Sequence, residues 1–190
     1  PLCASTIFES DAVVAHPRLL ELVRLFRERH PEVVAHVAPT DEGYVGHGGR
    51  RLLSPLSREK LERVLRYLVD ENEFLGPFGI RSLSRHHAEH PFEFRVGGEV
   101  HRVSYLPAES DTGMFGGNSN WRGPVWMPVN ALIVRGLLNL YAFYGDDFTI
   151  ECPAGSGQHM TLFGIAQEIS RRLARTFLRD ERGRPPVYAG

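Results

Sequence analysis

No run of apolar residues in the chain approaches the roughly 18–20 needed to cross a bilayer, so no membrane-spanning helix and no membrane partner are expected. Charge of one sign is not in excess: 22 Lys and Arg stand against 23 Asp and Glu, a net charge of −1. Proteins that grip a polyanionic backbone need a basic surface, so no nucleic-acid partner is expected either. Cysteine is scarce. Cys3 and Cys152 lie far apart and fit no metal-ligand spacing. They read as two buried thiols of a reducing compartment in preference to the alternative of a disulfide, and with no signal-peptide pattern at the start this points to the cytoplasm. Neither a phosphate-cradling glycine loop followed by lysine nor a Gly-x-Ser-x-Gly elbow occurs, so nucleotide chemistry and serine-hydrolase chemistry of that type are not expected. No cofactor is implied. Internal repeats and low-complexity tracts are missing too.

What is present is the composition of an ordinary globular protein, 42% apolar and 24% charged over 190 residues, enough for one core. The first residues, Pro1-Leu2-Cys3-Ala4, already read as interior sequence, and the last, Pro185-Pro186-Val187, read as a connector. The expectation is a single segment, residues 1–190, of a domain that continues at both ends.

Helical periodicity dominates. Residues 17–29 carry Leu19, Leu20, Leu22, Val23, Leu25 and Phe26 behind Pro17, which suits a first turn. Residues 31–39 are a short apolar stretch of undecided state, and 41–51, rich in glycine and charge, read as a mobile loop. Ser57 offers an N-cap to a helix over 58–70, with Leu61, Val64, Leu65 and Leu68 on one face. Residues 71–85 are irregular. Residues 92–104 alternate apolar and polar around Gly97-Gly98, a hairpin with a two-residue glycine turn. A helix is predicted over 129–144, with Leu132, Ile133, Leu137, Leu138, Leu140, Tyr141 and Tyr144 on a wide apolar face. Thr161 caps a last one in which Leu162, Ile165, Ala166, Ile169, Leu173 and Phe177 recur.

Residues 107–128 have no period, and loops of that length are uncommon and often functional. Both tryptophans, Trp121 and Trp126, lie in this stretch beside Asn118, Asn120, Arg122 and, just beyond, Asn130. Sugars call for this mixture: their C–H faces stack on aromatic rings, and their hydroxyls pair with planar amides and guanidinium groups. The alternative is that the tryptophans are core residues and the asparagines turn formers.

The segment Gly117-Asn118-Ser119-Asn120-Trp121-Arg122-Gly123-Pro124-Val125-Trp126-Met127-Pro128-Val129-Asn130 resembles the corresponding segment of glycoside hydrolase family 63. That family includes mannosyl-oligosaccharide glucosidases and bacterial relatives acting on glucosyl- or mannosylglycerate. Residues 71–84 (Glu71-Asn72-Glu73-Phe74-Leu75-Gly76-Pro77-Phe78-Gly79-Ile80-Arg81-Ser82-Leu83-Ser84) and Tyr144-Gly145-Asp146-Asp147-Phe148 add to the likeness, which runs from about Leu52 to Gly190. The resemblance implies a mainly α fold, a portion of an (α/α)6 toroid with one short β-hairpin. It implies hydrolysis of an α-linked oligosaccharide or small glycoside, with inversion by a general acid and a general base roughly 6.5–9.5 Å apart. It also implies that the acid stands upstream of the aromatic segment and the base beyond Gly190. On that reading Phe115, Asn118, Trp121, Arg122, Trp126 and Asn130 bind sugar, and the isolated chain is inactive.

Other constellations compete. Glu109 and Asp111 are the carboxylates nearest the aromatic loop; Asp111 is the better candidate for catalysis or for sugar hydroxyls, but bonding to loop amides is the ordinary task of such residues. Glu71 and Glu73 are spaced to pair with Arg81 or Arg85 and hold the Phe78-Gly79-Ile80 turn. His86, His87 and His90 lack a third partner in a zinc pattern, so no metal is expected. Three readings stay open: a glycosidase segment, a sugar-binding module without hydrolysis, and a structural half-toroid that self-associates or packs on the remainder of the toroid.

Overall fold

The computed structural model describes residues 1–9, 11, 15–34, 45–107 and 122–188, the side chains of Leu19 and Tyr188 apart. Regular structure is mostly helix, with short antiparallel strand pairs. The helices are α1 (Pro17–Arg29), α2 (Pro31–Val34), α3 (Arg58–Leu68), α4 (Met127–Tyr144) and α5 (Leu162–Arg175). The strands are β1 (Thr6–Phe8), β2 (Arg51–Leu53), β3 (Leu75–Gly76), β4 (Gly79–Ile80), β5 (Phe92–Val96), β6 (Glu99–Val103), β7 (Thr149–Glu151) and β8 (His159–Thr161), paired β1–β2, β3–β4, β5–β6 and β7–β8. Sequence periodicity predicts one hairpin, β5–β6. The other three pairs are only two or three residues per strand, too short to display an alternating pattern.

Two helix starts have a clear local cause. Ser57 Oγ accepts from Lys60 N at 3.4 Å, and Thr161 Oγ1 accepts from Gly164 N at 3.2 Å, so both hydroxyls satisfy amides that a helix start leaves unpaired. The β5–β6 register, Phe92↔Val103 to Val96↔Glu99, leaves Gly97 and Gly98 as the turn, at φ 58° and 87°. Positive φ at both central residues matches the right-handed twist of the strands. Several boundaries differ from expectation: α3 ends at Leu68 and not at residue 70, and α4 begins at Met127 and not at residue 129. Helix α5 stops at Arg175, so Phe177 lies beyond it and is largely exposed. In residues 41–51, the described part contains a 3-10 turn (His47–Gly49) and the start of β2.

Close contacts divide the chain into two compact units. The first comprises Pro1–Leu65, Leu132–Ile150 and His159–Ala166; the second comprises Arg66–Ala131, Glu151–Gln158 and Gln167–Gly190. In the first, Leu52, Leu61, Leu65, Leu137, Leu140, Phe143, Phe148, Leu162 and Ile165 are buried, an apolar core of the usual kind. Buried Ser5 and Ser54 bond to each other at 2.9 Å, which satisfies both hydroxyls beside the β1–β2 pair. Helix α1 is different: its described apolar residues are not buried, with Leu22 and Phe26 at least half exposed.

In the second unit, Val69, Leu75, Ile80, Cys152, Ile169 and Leu173 are buried together with Arg81, Ser84, Arg122, Asn130 and Arg172. Three buried arginines require satisfied guanidinium groups, since an unpaired buried charge costs several kcal/mol. Both cysteines are free thiols. Cys152 is buried as expected, but Cys3 is exposed, because the segment before β1 carries it at the surface. Among the described residues, no helix is long and apolar enough to cross a membrane.

Candidate functional site

The site is assembled on the β3–β4 turn of the second unit. Leu75 and Ile80 face each other across it, and Arg81 N donates to Phe74 O at 2.9 Å. That register points the N–H and C=O of Ile80 away from β3. Asn130, in the first turn of α4, meets both: its Oδ1 accepts from Ile80 N at 2.7 Å and its Nδ2 donates to Ile80 O at 2.9 Å. Nδ2 also donates to Trp126 O at 3.0 Å. The Asn130 side chain thus acts as a third strand for β4, and its amide is occupied by main chain at 1% exposure.

The aromatic segment runs along the next residues of the same turn. Arg81 and Val125 form a bridge, Ser82 N donates to Pro124 O at 3.1 Å, and Ser82 Oγ accepts from Gly123 N at 2.9 Å. Leu106 N donates to Arg122 O at 2.6 Å. Gly123 sits at φ 118°, and a Cβ there would stand 2.5 Å from the Tyr105 ring, so glycine alone fits. The Arg122–Val125 backbone is therefore held at each residue by bonds to the second unit's own loops. Arg122 is buried and Trp126 half-buried.

Arginines hold the platform from beneath. Arg81 Nη1 donates to the carbonyls of Glu71, Glu73 and Leu75 at 3.0, 3.2 and 2.9 Å, and its guanidinium carbon lies 6.0 Å from the Tyr105 ring centroid. Arg172, from α5, donates to Gly76 O at 3.0 Å, to Glu168 Oε1 at 2.7 Å and to Glu71 Oε1 at 2.7 Å. Spacing alone pairs the Glu71 and Glu73 carboxylates with Arg81 or Arg85; instead Glu71 reaches Arg172, and Glu73 accepts from Ser84 Oγ. Arg81 takes the carbonyls because it lies inside the turn they line. Burial would raise the pKa of Glu168, but hydrogen bonds from Arg171 and Arg172 hold it below its ordinary value. Burial opposes the charge on Arg172 too, yet Glu168 and Glu71 raise its pKa. Burial, with Glu168 nearby, pushes the Cys152 thiol up to about 11.

A cavity of about 400 Å³ opens over this platform, lined by Phe78, Arg81, Tyr105, Gly123, Val125, Met127, Thr176 and Phe177 among others. Its size is that of a small-ligand pocket. Residues of the aromatic segment line it, but Arg122, Trp126 and Asn130 do not. Of the sugar-binding candidates, the structure brings Trp126 and Asn130 together and places Arg122 at the start of the same extended run. Phe115, Asn118 and Trp121, with Glu109, Asp111 and Asn120, lie outside the described residues. His86 and His90 stack with ring centroids 4.6 Å apart, and His87 Nδ1 lies 2.9 Å from His90 O; no group of three or more metal-ligating side chains occurs among the described residues. Sequence reasoning missed Tyr105 and Thr176 as pocket walls. Nothing in their local sequence separates them from any surface residue.

Comparison with known proteins places these features in a glycoside hydrolase domain. The chain belongs to the family of mannosylglycerate hydrolase MGH1-like glycoside hydrolase domains, which matches residues 52–184. That span covers the platform, the described aromatic segment and α5. The chain is similar over its whole length to the uncharacterized protein YMR196W of Saccharomyces cerevisiae, at 44% identity over 191 residues, and spans 17% of that protein. Over 47% of its length it is similar to a probable mannosyl-oligosaccharide glucosidase of Schizosaccharomyces pombe, at 30% identity over 89 residues, which is 8% of that protein.

Proposed function

We propose that this chain is the sugar-binding segment of an inverting α-glycoside hydrolase of the family 63 type, part of an (α/α)6 toroid. Trp126, with Phe115, Asn118 and Trp121 of the same loop, contacts an α-linked oligosaccharide or small glycoside; buried Arg122 and Asn130 hold the segment in place. The general acid and base stand outside these 190 residues. What supports the reading most is the anchoring of Trp126: the backbone from Arg122 to Trp126 is tied by hydrogen bonds to a buried platform within a glycoside hydrolase domain. A site that must orient a flexible polyol benefits from such preorganisation, because the ordering cost is met at folding rather than at binding.

The test is release of glucose or mannose from aryl α-glycosides and glycosylglycerates, beside sugar affinity by calorimetry. The 190-residue chain should bind without turnover, and Trp126→Ala should weaken binding about tenfold, the loss of one stacking contact near 1.4 kcal/mol. Turnover by this chain that Asp111→Asn or Glu109→Gln abolishes would move the catalytic pair into it and refute the placement.

A second reading, association through helix faces, rests on a separate observation. Met127, Val129, Leu132 and Leu138 of α4 and Phe163 of α5 are exposed apolar residues, as are Leu20, Leu22 and Phe26 of α1. Toroid helices pack against neighbours on both sides, and exposed apolar surface of this kind favours self-association or packing on further helices. A sedimentation series that stays monomeric at every concentration would remove self-association.

A further inference from the structure

The first unit contains a polar pocket of about 370 Å³, where the segment leading into β1 runs past α4. Cys3, Thr6, Arg135, Gly136 and Asn139 contribute to its walls. Arg135 and Asn139 are four residues apart on α4, so one helical face presents both. Between them, Gly136 lets the main chain come close: a Cβ there would stand 2.9 Å from Leu2 O. The opposite wall is fixed, because Thr6 and Ile7 pair with Leu53 and Leu52, and neighbouring Ser5 is tied to Ser54. The pocket is therefore a built feature and not a gap beside a loose end.

Its chemistry is one-sided. No carboxylate among the described residues lines it. Among the described residues, the Arg135 guanidinium, the Asn139 amide and the Thr6 hydroxyl make no side-chain hydrogen bond or ion pair. Unspent donors around a cation without a counter-charge suit an oxyanion. A carboxylate has two oxygens, which the Arg135 fork alone would occupy. A phosphate group has further acceptor oxygens for the amide and the hydroxyl. We propose that this pocket binds the phosphate group of a small molecule, held by Arg135 with Asn139 and Thr6 as additional donors. The proposal is independent of the glycosidase reading, since it uses none of the residues of the other unit.

Cys3 supplies the measurement. It is exposed in the pocket wall, whereas Cys152 is buried, so alkylation by uncharged N-ethylmaleimide, read by mass spectrometry of each cysteine peptide, reports the pocket at Cys3 and folding at Cys152. In the purified protein, inorganic phosphate should slow Cys3 alkylation saturably, about tenfold once phosphate is about ten times its dissociation constant. Sodium chloride at matched ionic strength should not. Arg135→Gln and Asn139→Asp should each remove the protection while Cys152 stays unreactive, and Arg135→Lys should keep part of it. Tighter protection by glucose 6-phosphate than by inorganic phosphate would support an organic phosphomonoester; equal protection would support free phosphate. The proposal is overturned if chloride protects as well as phosphate, if acetate protects and phosphate does not, or if Arg135→Gln behaves as the wild type.

Discussion

Replacing Asn130 by alanine separates two roles that this side chain could have. Its amide meets the N–H and C=O of Ile80 at 2.7 and 2.9 Å, in surroundings where Asn130 itself is 1% exposed and Ile80 4% exposed. Alanine would leave both groups of Ile80 buried without a partner, at about 1–3 kcal/mol each. The third bond, to Trp126 O, matters less, because that carbonyl also accepts from Asn130 N at 2.9 Å. The sum is about 4 kcal/mol, which for a chain of this size lowers the unfolding midpoint by about 10 °C. Asn130→Asp should be at least as harmful: a buried carboxylate would face two carbonyl oxygens where Nδ2 now donates. Urea titration with fluorescence detection of the tryptophans measures the loss, and sugar affinity is measured alongside on whatever fraction remains folded. If Asn130→Ala costs under about 1 kcal/mol while sugar affinity falls tenfold, the clamp argument is wrong and Asn130 is a ligand contact.

Other perturbations act on the same platform. Gly123→Ala should cost about 3 kcal/mol by denaturant titration, because φ 118° is foreign to alanine and the Tyr105 ring blocks its Cβ. Glu168→Gln should cost about 2 kcal/mol at neutral pH, since buried Arg172 would lose one of its two charged partners and keep the carboxylate of Glu71. The pKa of Glu168 is depressed in the folded state, so its stabilisation is complete above the ordinary value of 4.5 and is lost as pH falls through the lower folded value. Wild-type stability should therefore drop below about pH 4.5, and in Glu168→Gln that part of the slope should vanish. The Cys152 thiol, with a pKa of about 11, should resist alkylation at pH 8 until the protein unfolds, while Cys3 reacts at once. Equal rates at the two cysteines in native buffer would contradict the buried position of Cys152.

Periodicity made the long elements legible. Leu61, Leu65, Leu162, Ile165 and Ile169 recur at helical spacing, are buried as that spacing requires, and follow caps at Ser57 and Thr161 that can be read from single residues. The hairpin at Gly97-Gly98 was legible for the same reason, since a two-residue glycine turn between alternating segments has few other outcomes. Where the periodic rule misled, burial was the part it could not supply. The apolar face of α1 and the outer residues Leu132 and Leu138 of α4 have the same spacing as core positions yet are not buried, because period fixes which residues share a face and not what covers that face.

The platform was illegible for a different physical reason. Arg81 bonds carbonyls, Glu71 bonds an arginine 101 positions away, and Asn130 reaches Ile80 across 50 residues. Main-chain acceptors have no letter in a sequence, so a guanidinium that satisfies them looks like any surface arginine. Among the described residues, the buried polar side chains of the first unit are two serines, whereas the second holds three arginines, a serine and an asparagine. Hydrogen-bonded networks such as those of Arg81, Arg172 and Asn130 specify one geometry more sharply than apolar packing, which tolerates interchange of similar volumes. The unit bearing the aromatic segment is thus the one whose fold depends on exact hydrogen-bond placement. A sugar, which differs from its epimers only in where its hydroxyls point, requires the same exactness of whatever holds it.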